Sequence, residues 1–279
     1  IYYKMAADNG DIKSMLYYAN MLHNGDGIPV NETEAYKYCK MAVDNGNTEA
    51  MNRCAYMLQK GIGVSVNNNE YLKYWKMSAE AGNTTGMVNY GILLINGEGT
   101  EVNNKEAARY FKMSADRGNA LGVYNYGFIL EKGKGVDMNI EEAKYYYKKS
   151  SDMGFLGGTN NYGWLLLTKD ENYEEALKYL RMAAEKEQVN AMVNYGFMLD
   201  NGLGTEIDHD LANKYYQKVI EKGEVDVFCL LANALEKGIY IKKNEKEACR
   251  YYKIAADAGN AEALCNYKRL VDKDITNDI

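Results

Sequence analysis

The chain has 279 residues, a formal net charge of −6, 47% apolar residues and one proline among 26 glycines. An acidic balance argues against nucleic acid as a partner, though a local cationic strip stays compatible with it. Uncharged runs such as Phe155 to Thr168 are too short to span a bilayer, and five cysteines without repeat spacing read as thiols of a reducing compartment.

From the first residues onward the chain repeats itself. Ile1 falls inside a repeat, so the sequence reads as an excerpt of a longer protein. An acidic-x-Gly turn closes at Gly10, Gly46, Gly82, Gly118 and Gly154, each 36 residues after the last. The next interval, to Gly223, is 69 residues, one repeat of 36 and one of 33, and the beat resumes at Gly259. A second series, Gly25, Gly61, Gly97, Gly133, Gly202 and Gly238, slips at the same place. A period of this size means stacked supersecondary units whose function lies in an extended surface.

Each unit opens with a predicted helix A. Counting from Ala35, Ala107, Ala143, Ala176, Ala212 and Ala248, tyrosine follows three residues on, at Tyr38, Tyr110, Tyr146, Tyr179, Tyr215 and Tyr251, with Tyr74 in the unit between the first two. The next position is mostly aromatic, and +7 is mostly small. Positions 0, 3, 4 and 7 share one helix face, which is read as core. The glycine turn ends helix A. Helix B then carries a small residue (Gly91, Gly127, Gly163, Gly196) followed three residues later by leucine. Glycine inside a helix costs about 1 kcal/mol against alanine, so a close helix crossing is expected at Gly127 and Gly163. GxG turns such as Gly97-Glu98-Gly99 lack the third glycine, lysine and preceding strand of a nucleotide loop and read as turns. Cys39 and Cys54 flank one glycine turn and are expected to face each other, either as apolar neighbours or as a disulfide.

Between Leu167 and Ala176 both loop glycines vanish, and the next turn reads Glu185-Lys186-Glu187 without its glycine. A tolerated three-residue deletion and a local change of curvature both fit this. In the last unit the small position becomes Lys268, as a polar end cap would require.

The segment from Ala107 to Val136, AARYFKMSADRGNALGVYNYGFILEKGKGV, resembles the Sel-one-like repeat (SLR) family, a relative of the tetratricopeptide repeats. The resemblance covers nearly the whole chain. It implies an all-α fold: a right-handed α/α superhelical solenoid of about seven to eight two-helix repeats. It is read as one domain over 1–279, with a partial first repeat over 1–33 and the last repeat and cap over 247–279. It further implies a non-catalytic scaffold or adaptor whose A helices line a concave groove.

On the face of helix A opposite the core, position +5 is basic (Lys40, Lys76, Lys112, Lys148, Arg181) and position +9 acidic. These side chains read either as i,i+4 surface ion pairs or, if the stripe borders the groove, as a ladder for an acidic or C-terminal segment of a protein partner. Position +1 varies (Tyr36, Leu72, Lys144, Leu177) and is where partner specificity would be written. No catalytic residue, metal site or cofactor is expected, because His23 and His209 belong to no ligand cluster and no nucleophile motif appears. An architectural subunit of a large assembly, cytoskeletal or in membrane-associated degradation, is the alternative to the scaffold. The cytoplasm is the expected compartment. Sequons at Asn31 and Asn83 leave the ER lumen as the alternative, since some members of the family are luminal adaptors.

Overall fold

A computed structural model describes residues 2–238 and 242–277, with side chains described to residue 272. Among the described residues there are sixteen helices and no strand. The chain packs as two compact units, Ile1–Tyr146 and Tyr147–Ile279, which divide inside one helix. The first unit holds α1 (Tyr2–Asp8), α2 (Ile12–Asn24), α3 (Glu32–Asp44), α4 (Thr48–Lys60), α5 (Asn68–Glu80), α6 (Thr84–Asn96), α7 (Asn104–Asp116), α8 (Ala120–Lys132) and the start of α9 (Ile140–Asp152). The second continues through α10 (Leu156–Thr168), α11 (Tyr173–Glu185), α12 (Val189–Asn201), α13 (His209–Glu221), α14 (Asp226–Lys237), α15 (Glu245–Asp257) and α16 (Ala261–Asn277). Odd-numbered helices are A helices and even-numbered ones are B helices. In the first unit each helix from α1 to α8 packs on the next. The connections are too short for any arrangement but an antiparallel one.

Asparagine starts the helices. Asn47 Oδ1 accepts from Ala50 N–H at 2.8 Å, and Asn31, Asn67, Asn83, Asn103, Asn119, Asn172 and Asn244 cap in the same way. Each cap satisfies an amide the helix leaves open. Glycine in the left-handed region stops the B helices from α2 to α14 other than α10, as Gly61 does at φ 70°, with its N–H on Met57 O. The second glycine of the loop has a different task. A Cβ on Gly204 would lie 2.6 Å from Tyr173 O, so the loop rests on the first turn of its own repeat's A helix.

The inner faces are aromatic. Tyr38, Tyr74, Tyr110, Tyr146 and Tyr179 are buried, as the periodicity predicts. Tyr215 departs from this pattern: it is half-buried, and its neighbour Tyr216 takes the core place instead. Four of the buried +3 tyrosines meet a tyrosine of the preceding B helix edge to face: Tyr18–Tyr38 at 4.8 Å, Tyr90–Tyr110 at 5.2 Å, Tyr126–Tyr146 at 4.8 Å and Tyr162–Tyr179 at 4.7 Å between centroids. Such pairs contribute about 0.5–1.5 kcal/mol each beyond area burial, which gives the chain's many tyrosines a role.

Gly91, Gly163 and Gly196 of the B helices sit at close contacts. A Cβ on Gly163 would lie 2.8 Å from Leu180 Cγ, and one on Gly91 2.6 Å from the Phe111 ring. Gly127 is buried. Within each hairpin, size is matched across the crossing. Ser78, Ser114 and Ser150 face Gly86, Gly122 and Gly158, while Ala42 and Ala183 stand at the same register as Ala50 and Ala191. Among the described cysteines no disulfide forms. Cys39 and Cys54 are buried free thiols.

The shortened segment leaves helix lengths unchanged, with 13 residues in each of α10, α11 and α12. Glu171 and Glu187 there adopt positive φ, 51° and 57°, where glycine would be at ease. Glu187 is held by Lys222 at 2.8 Å from the next repeat. Lys268, near the end of the described side chains, is exposed.

Candidate partner-binding surface

Helix periodicity puts positions +2, +5, +6 and +9 of each A helix on the face away from the core. The +5 cations pair with the +9 acids one turn on: Lys40 with Asp44 at 2.5 Å, Lys76 with Glu80 at 3.8 Å, Lys112 with Asp116 at 2.5 Å, Lys148 with Asp152 at 3.3 Å and Arg181 with Glu185 at 2.7 Å. Exposed i,i+4 pairs of this kind are screened by solvent and add little to stability. Hydrogen bonds to Asp44 and Asp116 are the main cause that holds the Lys40 and Lys112 ammonium groups above the usual lysine range.

The same cations reach the next repeat. Lys40 Nζ lies 5.9 Å from the Tyr74 ring centroid, and Lys112 Nζ 5.6 Å from that of Tyr146. At the start of the chain the Tyr38 hydroxyl donates to Asp8 at 2.6 Å, and Asp8 is held below the usual carboxylate range, chiefly by its bond to Lys4. The basic stripe that periodicity singles out therefore ties repeats together as well as facing outward.

The +1 residues lie lower on the helix flank. Tyr36 and Leu72 are half-buried against the first unit's core, and Leu177 against the second's. Lys144 is mostly covered and pairs with Glu141 at 2.9 Å. Burial pushes the Tyr36 phenol well up.

One place on this face gathers charge. Between α5 and α7 an open depression of about 370 Å³ holds Lys76, Glu80, Tyr90, Glu106, Arg109, Tyr110 and Arg117. A second, of about 470 Å³, adjoins it across Glu106 and Arg109 and adds Lys105, Ala108, Lys112 and Tyr126. The Arg109 guanidinium grips Glu106 through Nε at 2.9 Å and Nη2 at 2.5 Å and lies 4.3 Å over the Tyr110 ring. That grip lowers the Glu106 carboxyl below its usual range. Arg117 Nη1 reaches only the Met87 sulfur at 3.2 Å, and neither it nor Lys105 makes an ion pair among the described residues. Five cations thus stand against Glu80, Glu106 and Asp116, in a chain of net charge −6. Periodicity found Lys76 and Lys112. It missed Arg109, although the recurrence of lysine or arginine at +2 (Lys37, Lys73, Arg109, Lys178, Lys214, Arg250) was there to be counted, and Arg117, which lies at +10, outside that series.

The second unit has its own polar hub, which periodicity did not single out. The buried Asp200 carboxylate accepts from the Tyr216 hydroxyl at 2.9 Å, meets Arg250 Nη1 at 2.8 Å and lies 2.9 Å from His209 Nδ1. Tyr216 and Tyr251 share a hydrogen bond at 2.9 Å, and burial pushes both phenols well up. Beside the shortened loop a cleft of about 490 Å³ has Leu167, Phe197, Leu203 and Leu235 in its floor and Lys242 and Lys243 at its lip. Among the described residues no three His, Cys, Asp or Glu side chains are placed to hold a metal ion, and no helix is long and apolar enough to cross a membrane.

The model of the Sel1 repeat matches residues 1–11, 12–47, 48–83, 84–119, 120–155, 156–187, 189–224 and 229–260. Among solved structures the chain is similar to a protective antigen present in uropathogenic Escherichia coli strains that displays an SLR fold, at 25% identity and TM-score 0.70, covering 97% of this chain and 59% of that one. The chain therefore spans less than two thirds of that protein. A Sel1 repeat protein from Oxalobacter formigenes is similar at 20% identity and TM-score 0.65, covering 96% of this chain and 78% of that one. The Cut9–Hcn1 hetero-tetramer of the APC/C shares the fold at 14% identity and TM-score 0.50, over 96% of this chain and 48% of that one. No curated protein matches the chain. With eight matched segments running from the first residue to residue 260, the chain belongs to the Sel1 repeat family.

Proposed function

We propose that the chain is a non-catalytic protein-interaction scaffold of the cytoplasm that presents the outer face of its A helices to a carboxylate-bearing segment of a partner protein. The observation that carries this reading is the α5–α7 patch, where cations outnumber carboxylates around two adjoining depressions. Arginine forks and lysines in an aromatic- and methionine-lined hollow suit an acidic peptide with apolar residues between its charges. Lys40, Lys76 and Lys112 extend the surface along the first unit, and Lys148 and Arg181 repeat its chemistry in the second. Tyr36, Leu72, Lys144 and Leu177 form its flank. Five free thiols support the cytoplasmic assignment, as does the use of Asn31 and Asn83 as helix caps.

An architectural role is the second reading. It is favoured by the ladder cations being paired within the chain, and the APC/C likeness, one of fold, fits it. A phage-displayed random peptide library panned on the wild-type chain and on a Lys105→Glu/Arg117→Glu variant separates the two. Neither side chain makes an ion pair, so the fold should tolerate the change. The scaffold predicts acidic peptides on the wild type and their loss on the variant. Selected peptides without acidic bias, or indifferent to the variant, would favour the architectural subunit.

A further inference from the structure

Two registers of the repeat core are large in every complete repeat but one. The +4 position of helix A is Trp75, Phe111, Tyr147, Leu180, Tyr216 or Tyr252, and the facing helix-B position is Tyr90, Tyr126, Tyr162, Tyr195, Leu231 or Tyr267. In the α3–α4 hairpin both are cysteine, Cys39 and Cys54. Two bulky side chains are lost together, and two thiols replace them at fully buried positions of one core. The Tyr74 ring consequently lacks the edge-to-face tyrosine that its counterparts Tyr38 and Tyr110 have. Tyr36, with Cys54, Tyr74 and Cys39 near it, packs against the same core.

The thiols are close. Cys39 Sγ donates to Ala50 O at 3.5 Å, one helical turn before Cys54 on α4. Contact with Cys39 is the main cause that pushes the Cys54 thiol up, with burial second. A solitary cysteine in a core is a small apolar residue. A facing pair at two registers that otherwise hold large side chains is a chemical unit.

We propose that Cys39 and Cys54 form a reversible dithiol–disulfide couple across the α3–α4 hairpin, oxidised by a low-molecular-weight disulfide such as oxidised glutathione. One protein thiolate attacks the disulfide and releases one glutathione thiolate. The second protein thiolate then attacks the mixed disulfide, forms the Cys39–Cys54 bond and releases the other. Two protein thiols are oxidised, one glutathione disulfide is reduced to two thiols, and the two protons pass to the leaving thiolates. Because both thiols are buried and Cys54 resists ionisation, exchange waits on local opening of the hairpin and is slow in the folded chain. The proposal is independent of the partner surface.

The test uses the wild-type chain in glutathione buffers from fully reduced to fully oxidised, quenched in acid, alkylated in denaturant and digested without reduction. Mass spectrometry should find the Cys39 and Cys54 peptides joined with the loss of two hydrogens. The oxidised chain should melt higher, since the bond restricts the unfolded ensemble, and dithiothreitol should reverse both changes. A Cys54→Ala chain should show neither the link nor the rise in melting temperature. The proposal is overturned if Cys39 and Cys54 remain alkylatable in the most oxidising buffer. It is also overturned if they are recovered only as mixed disulfides, or if the link forms only in urea-unfolded chain.

Discussion

At the α6–α7 junction of the first unit, Phe111 closes against Gly91 and ends in carbon. At the α12–α13 junction of the second, Tyr216 closes against Gly196 and ends in a hydroxyl. The residue after the helix-B leucine differs in step: Ile95 in the first case, Asp200 in the second. The same change recurs where Leu180 follows Leu167 and where the Tyr252 hydroxyl donates to Glu236 at 3.0 Å. One backbone slot thus accepts either an apolar pair or a hydroxyl with its carboxylate. The second choice draws in further polar groups, because a buried carboxylate needs more than one partner. Asp200 has gathered Tyr216, Arg250 and His209 in this way.

The comparison breaks most decisively at its polar end. Asp200→Ala leaves Arg250 and two buried hydroxyls without their acceptor and should cost about 3–5 kcal/mol in urea unfolding. A loss below about 1 kcal/mol would mean that water replaces the carboxylate and that the hub is not a closed network. Packing comes next. Gly163→Leu places a side chain where Leu180 already sits and should destabilise by about 1–3 kcal/mol, read as a lower melting temperature. An unchanged melt would contradict the close crossing.

Phe111→Tyr carries the polar choice into the apolar junction. Its hydroxyl faces a register that holds Ile95, so the variant should lose about 1–3 kcal/mol, and adding Ile95→Asp should recover part of that loss. Additive losses in the double-mutant cycle would show that the pairing of registers is coincidental. Alkaline unfolding sharpens the same point. Burial raises the phenols of Tyr90, Tyr110, Tyr216 and Tyr251 above the ordinary value of 10.0, so the folded chain keeps them neutral where the unfolded chain ionises them. Stability should hold up to about pH 10 and fall above it. Phenolate absorbance should rise together with loss of helical signal. Phenolate in excess of that from the exposed tyrosines Tyr2, Tyr3, Tyr17, Tyr56 and Tyr145, appearing well before unfolding, would mean that the tyrosine core is open to water.

Much of this was legible from spacing. Helix pairs, the buried +3 tyrosines and the close contact at Gly163 follow from a 36-residue period and the geometry of a helix face. Less legible was what depends on a partner remote in sequence. Tyr215 and Tyr216 look interchangeable until Asp200, sixteen residues before Tyr216, is seen to hold one of them. The capping asparagines were not legible as caps, because a cap is a bond to a backbone amide, which leaves no side-chain partner in the sequence. At Glu187 the missing glycine suggested a changed turn. The turn keeps its hydrogen bonds, with Glu187 N on Ala184 O at 2.9 Å as Gly82 N is on Ala79 O at 3.0 Å. Strain at positive φ and ion pairs to Lys222 and Lys218 oppose each other there. Glu187→Gly should therefore change stability least, a gain within about 1 kcal/mol that grows with salt as the lost ion pairs are screened. A destabilised variant at high salt would contradict the strain.

The ladder residues were legible as a stripe and not as a surface, because periodicity gives a direction from the helix axis and not what fills the space beyond it. Hydrogen–deuterium exchange of the whole chain, with and without an acidic peptide selected on it, tests the partner surface most directly. The account predicts added protection in α5 and α7 upon binding, weakened in high salt. Protection confined to B helices or to the loops, with α5 and α7 unchanged, would contradict it.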